Sequence, residues 1–453
     1  MFGSIFGLGK ATFSHGIHPP TLKGKTHDRN IRRLSFAPEM ILPLSQHFGA
    51  PSRPIVRPGQ EVIRGDLIAE ADGFMSVPLH APATGIIKKI GLMPTARGPK
   101  AEAIVLKVHK SANQMVFHES PRDFNNLASS EIVKAVQSTG MVGLGGASFP
   151  THVKMSVPKD HEVDTVMVNG CECEPYLTTD HRVMLENSLN LFVGIRIAMK
   201  AVNAKRAIIG IEDNKKDAID ALRAACPDDG SITVGEMKTK YPQGAEKMML
   251  KALLGREVPS GGFPSGVGAS VYNVATLAQL GALLPRGRGL IERVITVTGP
   301  GVEKPGNYLV ALGTPLGFLL ENLGYQAKNG HIILGGPMMG IAASSLDVPI
   351  TKGVAGILVL TEEEKASYAP KQVWACIKCA ECLKACPIHL NPSHLGMLAT
   401  QRRYKVMEED FHLNDCFECG CCSYVCPAGI PLVQYFRIAK ALNREVAVAV
   451  KAS

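Results

Sequence analysis

The chain is 453 residues long and 45% apolar, ordinary for a protein with buried cores, and its length allows roughly three or four domains. Its net charge of +9, from 49 basic against 40 acidic residues, suits an acidic partner or an anionic membrane surface but is too diffuse for nucleic-acid binding. No apolar run approaches the roughly 18 residues that span a bilayer, and a long candidate, Leu191 to Val202, is interrupted by Arg196 and Lys200, which excludes a membrane-spanning role.

The first ten residues, MFGSIFGLGK, are too short for a signal peptide with its cleavage site, and a disordered start is expected there. From about Pro54 to Val108 the chain reads as short strands between Gly/Pro turns: VRPGQEVIRGDLIAE, a hairpin tip, then APATGIIKKI. This stretch resembles the barrel-sandwich hammerhead of lipoyl and biotinyl domains. Those carriers hold a lysine at the tip; Ala71-Asp72-Gly73-Phe74-Met75 has none, so a structural module is expected.

Residues from about 128 to 285 alternate strand-like runs (VDTVMVNG, RAIIGIED) with helical periodicity (KDAIDALRAAC, EKMMLKALLG), which predicts a parallel α/β sheet. Ligands of such sheets sit outside the carboxyl ends of the strands. Two segments mark that edge: the glycine-rich turn from Gly140 to Pro150, after a helix that begins near Ser130, and Asn169 to Pro175, directly after an apolar strand. Glycines at 143, 145 and 146 let backbone N–H groups approach a phosphate or an isoalloxazine ring with no side chain between. Their spacing is not G-x-G-x-x-G, so the glycines alone fit a tight structural turn equally well. Lys154 can meet a phosphate as a point charge or remain solvated. Cys171 and Cys173 are too close in sequence for a chelating pair and receive no role, while Cys226 reads as a small buried residue.

From about 290 to 345, VITVTG and HIILGGP flank a helical stretch, Leu316 to Leu323, which predicts a small α+β module. A linker rich in Glu and Lys, Thr361 to Lys371, leads to the cysteines. Cys376, Cys379, Cys382 and Cys386 precede Pro387, and Cys416, Cys419, Cys422 and Cys426 precede Pro427. Each run is C-x2-C-x2-C-x3-C-P, the bacterial ferredoxin arrangement, in which the fourth cysteine serves the other cluster. Two 4Fe-4S clusters are therefore expected, one on Cys376, Cys379, Cys382 and Cys426, the other on Cys416, Cys419, Cys422 and Cys386. Structural zinc would use paired knuckles and has no need of the third cysteine, and a disulfide framework belongs to small secreted domains. Cys421 reads as a bystander. Such clusters pass single electrons, so nicotinamide chemistry on the same chain would need a flavin to convert a hydride into single electrons.

The runs GLGGASFPTHVK, VNGCECEPYLTTDHRVM, YPQGAEKMML and VYNVATLAQL resemble the NADH- and FMN-binding subunit of respiratory complex I and related diaphorases. With a hammerhead in front, two ferredoxin motifs behind and the opening HGIHPPTLKGKT, the order is similar to the C subunits of Rnf (Rsx) ion-translocating complexes. The resemblance implies a multidomain α/β fold: an N-terminal barrel-sandwich hybrid (lipoyl-like) domain over 1–127, a Rossmann-like FMN/NADH-binding domain over 128–285, a β-grasp-like module over 286–360, and an α-helical 2x4Fe-4S ferredoxin domain over 361–453. It implies that Gly143, Gly145, Gly146 and Ala147 line FMN, with Lys154 near its phosphate, and that Asn169, Glu172 and Glu174 stand at the ring and the nicotinamide approach. Tyr241, Gly244 and Glu246 match a Tyr-x-x-Gly-x-Glu element, and Asn273 a flavin-contacting asparagine. Ser148 stands where glycine is usual, and Leu144 where the complex I form has arginine.

The function so implied is that of a peripheral subunit on the cytoplasmic face of the bacterial inner membrane. It would pass electrons between NAD(H), FMN and two 4Fe-4S clusters, with membrane-embedded subunits as partners and ferredoxin or flavodoxin serving the complex. A soluble diaphorase subunit of a hydrogenase or formate dehydrogenase, and a non-catalytic relay or docking subunit serving a redox regulator, are the alternatives. The residues fix neither the direction of flow nor the ion.

Overall fold

The computed structural model describes residues 10–452 except 97, 118, 328–329 and 365–371, so the opening stretch and most of the expected linker from Thr361 to Lys371 lie outside the described residues. Near the N-terminus, two small antiparallel sheets face each other. One joins β2 (Glu39–Pro43), β8 (Ala101–Val108), β7 (Gly85–Met93) and β4 (Glu61–Val62); the other joins β3 (Arg53–Pro54), β5 (Leu67–Glu70) and β6 (Leu79–His80). Met40, Leu42, Ile68, Ile87, Ile104 and Leu106 fill the space between them. The lysine-free tip leans on the next domain: Gln137 donates to the carbonyls of Gly73 and Ser76, and His152 Nε2 bonds the Phe74 carbonyl at 2.7 Å. Those contacts occupy the end that a carrier domain would have to swing freely.

The second domain is a four-stranded parallel sheet in the order β11 (Ile232–Met237), β10 (Arg206–Glu212), β9 (Thr165–Gly170), β12 (Ala269–Asn273). Thr165–Val168 of β9 and Ile209–Glu212 of β10 are buried throughout, as strands covered on both faces must be. Helices α1 (Ser129–Ser138), α2 (Thr151–Met155), α3 (Thr179–Glu186), α4 (Ser188–Val202), α5 (Lys216–Ala225), α6 (Glu246–Leu254) and α7 (Val274–Leu283) belong to this domain. Helix α5 buries Ala218, Ile219 and Leu222, one stripe of the helical period. Helices α4 and α7 meet backbone to backbone: a Cβ on Gly194 would stand 1.9 Å from the Leu277 carbonyl oxygen, and one on Gly281 2.0 Å from that of Asn190.

A third unit is a six-stranded sheet, β1 (Ile31–Arg33), β14 (Gly306–Ala311), β13 (Glu292–Thr298), β17 (Gly356–Leu360), β15 (His331–Leu334), β16 (Ile341–Ala342), covered by α8 (Leu316–Asn322). Strand β1 comes from the N-terminal segment and pairs with β14, away from the barrel it precedes in sequence. Upstream, Ala11 bridges Met237 and Ile17 bridges Tyr241, so residues 11–33 strap the second and third units together.

The last unit is helical. Asn391 caps the helix Pro392–Thr400 by accepting the His394 N–H, with Pro392 at the first helical position, where its missing N–H costs nothing. The helix Leu432–Ala452 closes a small core of Leu395, Leu398, Met407, Leu413 and Phe436.

Candidate functional site

The second domain winds from β9 to β10 and β11 on one side, then places β12 on the other, so the winding reverses between β9 and β12. Such a reversal opens a crevice at the carboxyl ends of the strands, where ligands of parallel sheets bind. Asn169 and Asn273 stand opposite each other there. Asn273 caps α7 with its Oδ1, accepting from Ala275 and Thr276, and donates through Nδ2 to Asp180 at 2.6 Å. Burial, reinforced by the charge on Glu172, pushes the Asp180 carboxyl well above the usual carboxylate range.

The glycine turn lies over this crevice. Its base is closed by the Val142–Pro150 bridge and by the Gly143 N–H, which donates to Phe149 at 2.9 Å. The Leu144 N–H donates to Thr276 Oγ1 at 2.9 Å, and the leucine side chain is buried in the core. Gly145, Gly146 and Ala147 form an exposed tip. A Cβ on Gly145 would meet that of Asn273 at 3.3 Å, whereas nothing lies within 4 Å of the corresponding position at Gly146, whose φ is +124. Among the described residues, no hydrogen bond uses the N–H groups of Gly145, Gly146 or Ala147. Exposed donors with no side chain in front of them fit an anionic phosphate or the polar edge of a flavin ring. Beside them Lys154 pairs with Glu246, its ammonium 5.8 Å from the centre of the Tyr272 ring.

The two departures at the turn are both absorbed. Ser148 adopts φ +52, the left-handed region where glycine is at ease, and its hydroxyl occupies space that Gly353 leaves open, since a Cβ there would stand 2.2 Å from Ser148 Oγ. Leu144 points into the core, so the arginine it replaces leaves no gap in the exposed tip.

Three expected ligand-facing residues have other partners. Glu172 spends its carboxylate on the N–H groups of Asp180 and His181, at 3.0 and 3.3 Å, holding the start of α3 where the macrodipole favours an anion. Glu174 accepts from Met338 and Met339 N–H at 3.1 and 2.8 Å and so fastens the third unit to the second; burial lifts it to about 7. Tyr241, buried, donates its hydroxyl hydrogen to the Cys419 carbonyl at 2.7 Å. Asn169 and Gly244 brace each other, Nδ2 to carbonyl at 2.7 Å, and the Gly244 N–H points at Cys173 Sγ at 3.4 Å. Cys171 instead faces the Gly210 carbonyl, and burial raises both thiols, which marks them as unreactive. Cys226 is half-buried against the main core.

The eight motif cysteines surround two cavities. Cys386, Cys416, Cys419 and Cys422 line one, with Leu390, Val433 and Phe436; Cys376, Cys379, Cys382 and Cys426 line the other, with Trp374, Ile377 and Tyr435. Each cavity thus takes three cysteines from one run and the fourth from the other. Lys378 and Glu418, just before the second cysteine of each run, and Ala380 and Gly420, just after it, all have positive φ. Such residues turn successive N–H groups inward, a concavity that suits the anionic sulfurs of a cluster. The first cavity is the inner one: Cys386, Cys419 and Cys422 are buried, while Cys376 and Cys379 of the other are exposed.

Residues that spacing did not single out complete the site. Thr276 anchors the turn, Tyr272 stacks under Lys154, and Arg293 and Lys352 lie buried behind the turn. A lone arginine inside the apolar strand ERVITVT was the available signal for one of them.

Family models match four segments: an RnfC barrel sandwich hybrid domain over residues 11–111, a Nuo51 FMN-binding domain over 136–282, an SLBB domain over 294–342 and a 4Fe-4S dicluster domain over 375–430. Over 434 residues the chain is 42% identical to the C subunit of the proton-translocating ferredoxin:NAD(+) oxidoreductase complex of Clostridium ljungdahlii, covering 96% of this chain and 94% of that one. It is 40% identical over 404 residues to the C subunit of the Na(+)-translocating ferredoxin:NAD(+) oxidoreductase complex of Acetobacterium woodii, covering 88% and 90%. The C subunit of the ion-translocating oxidoreductase complex of Haemophilus influenzae is 38% identical over 441 residues, 97% of this chain and 66% of the longer relative.

Proposed function

The chain belongs to the family of C subunits of ion-translocating oxidoreductase complexes, and on that premise we propose that it is the NADH-side peripheral subunit of an Rnf-type complex. In this reading it carries electrons between NAD(H), FMN and two 4Fe-4S clusters. The observation that carries the reading is the contact between the FMN-binding domain and the inner cysteine cavity: Tyr241 of the one bonds Cys419 of the other, with Ile17, Cys173 and Met338 packed around them.

FMN, when bound, supplies the conversion between a hydride and single electrons. The chain's own residues do the rest. The tip N–H groups of Gly145, Gly146 and Ala147 bind without a side chain in the way, Asn273 holds the crevice open by capping α7, and the Lys154–Glu246 pair supplies a cation at its margin. The buried inner cysteines keep water from the first cavity, and the exposed Cys376 and Cys379 offer the second to a partner's redox centre. No helix among the described residues is long and apolar enough to cross a membrane, so attachment at the cytoplasmic face would come from membrane-embedded partner subunits. Ferredoxin or flavodoxin would exchange electrons with the assembled complex.

The test is anaerobic: the cluster-reconstituted protein is mixed with FMN and NADH while flavin and iron-sulfur absorbance are followed together. Bleaching of both is expected. If dithionite bleaches the clusters and NADH does not, the chain is a relay fed by another protein.

A further inference from the structure

Behind the glycine turn, two basic side chains of the third unit are buried with almost no water contact: Arg293 of β13 is 1% exposed, and Lys352, whose pKa burial lowers to about 7, is 0% exposed. Among the described residues, no carboxylate forms a salt bridge with either. Lys352 Nζ donates to the carbonyls of Pro78 and Gly140, at 3.0 and 2.7 Å, and Arg293 donates to those of Lys352, Val294 and Leu144, the last at 3.1 Å. Gly140 and Leu144 are the entrance and the shoulder of the turn. Removing a guanidinium from water costs several kcal/mol, so a bond from it to the turn, matched by a second from Lys352, calls for a reason beyond cohesion.

The reason lies in the geometry of the peptide unit. The Leu144–Gly145 bond is trans, so the Gly145 N–H points opposite to the Leu144 carbonyl. With that carbonyl drawn inward by Arg293, the N–H faces outward into the exposed tip. Glycine on one side makes this peptide easy to rotate, and the Thr276 hydroxyl holds only the preceding N–H. We infer that Arg293 is a positioning residue of the flavin site: it fixes the Leu144–Gly145 peptide with its N–H toward the bound flavin and lends that side of the site a permanent positive charge, Lys352 anchoring the turn's entrance in support.

This makes the third unit part of the flavin site although it contributes nothing to the exposed tip. Burial lowers the Arg293 pKa to about 10, so it remains a cation at neutral pH, and the charge on Asp180 opposes that shift. A cation near the ring favours the electron-rich reduced flavin over the oxidised form.

The inference rests on the flavin reading, and its test separates the two. FMN affinity and two-electron midpoint potential are measured by fluorescence and anaerobic titration on the full chain, with iron content and circular dichroism as controls. Arg293→Met is expected to weaken FMN binding about tenfold to a hundredfold, since it removes a charged donor and frees the peptide to turn. It is also expected to lower the potential, by about 30 mV for each tenfold that reduced FMN loses beyond oxidised FMN. Arg293→Lys keeps the charge but not the fork, so binding should weaken at least about threefold with the potential largely preserved. A folded Arg293→Met protein with unchanged affinity and potential would overturn the inference. If that variant does not fold, Arg293→Lys decides, and affinity within about twofold of the original overturns it. Absence of FMN binding by the unaltered protein would instead remove the flavin reading itself, and this inference with it.

Discussion

Tyr241 offers the sharpest separation between what family resemblance implies and what the fold does. Its hydroxyl is 2.7 Å from the Cys419 carbonyl, the residue is 1% exposed, and Ile17, Ala385, Cys419 and Cys421 pack around the bond. Tyr241→Phe removes the donor and keeps the ring. A net hydrogen bond is worth about 1 kcal/mol, and the stranded carbonyl adds desolvation cost, so a loss of about 1–2 kcal/mol is expected at the joint between the FMN-binding domain and the inner cysteine cavity. That corresponds to roughly a five- to thirtyfold shift toward the undocked arrangement. Iron should therefore leave the inner cavity about that much faster in the presence of a chelator, while FMN affinity stays within about twofold. The assay is the rate of loss of iron-sulfur absorbance beside an FMN titration on the same sample. A tenfold drop in FMN affinity with normal iron retention would show that Tyr241 serves the flavin, and the reasoning from its contact would be refuted.

The crossed cavities predict that Cys426→Ser and Cys376→Ser damage the same cluster, so the double variant should retain as much iron as either single one, about half; retention falling to nearly none would mean that the ligands are not crossed. Gly145→Val should weaken FMN binding at least about tenfold, because its Cβ would stand 3.3 Å from Asn273 and its methyl groups would enter the exposed tip; unchanged flavin absorbance after desalting would move the site elsewhere. Glu174 is raised from 4.5 to about 7, so the folded protein keeps a proton that the unfolded chain releases over that interval. Its contribution to stability is full below about pH 4.5 and is lost as pH rises through 7. Glu174→Gln cannot ionise and should flatten this slope by up to about 3 kcal/mol between acid and neutral pH, which thermal unfolding across pH would read; an identical slope in the variant would assign the dependence to other groups.

Local patterns were legible where the physics is local. Three of the four cysteines around each cavity come from one short run, so their spacing survives in the sequence, and strands buried on both faces leave runs such as VDTVMVNG. The glycine turn was readable because close backbone approach admits little else. Destinations across units were not readable: nothing near Glu174 indicates that its carboxylate reaches Met338 and Met339, or near Tyr241 that its hydroxyl meets Cys419. The strap over residues 11–33 escaped for a related reason, since single bridges and a three-residue strand carry no periodicity. The roles of Ser148 and Leu144 depended on Gly353 and on a core position, both invisible to spacing.

A cavity walled by Cys376, Cys379, Cys382 and Cys426 draws on both ends of the cysteine-rich unit, and so does its neighbour through Cys386. During synthesis, therefore, the first run emerges from the ribosome unable to complete a four-thiolate seat: the inner seat waits for Cys416, Cys419 and Cys422, and the other is whole only when Cys426 has been released and has folded back. Truncation anywhere before that cysteine leaves both seats incomplete or one seat missing a wall. Full iron loading of this unit is in that sense a check on the length of the chain, because only a molecule made through its second run can fill both seats.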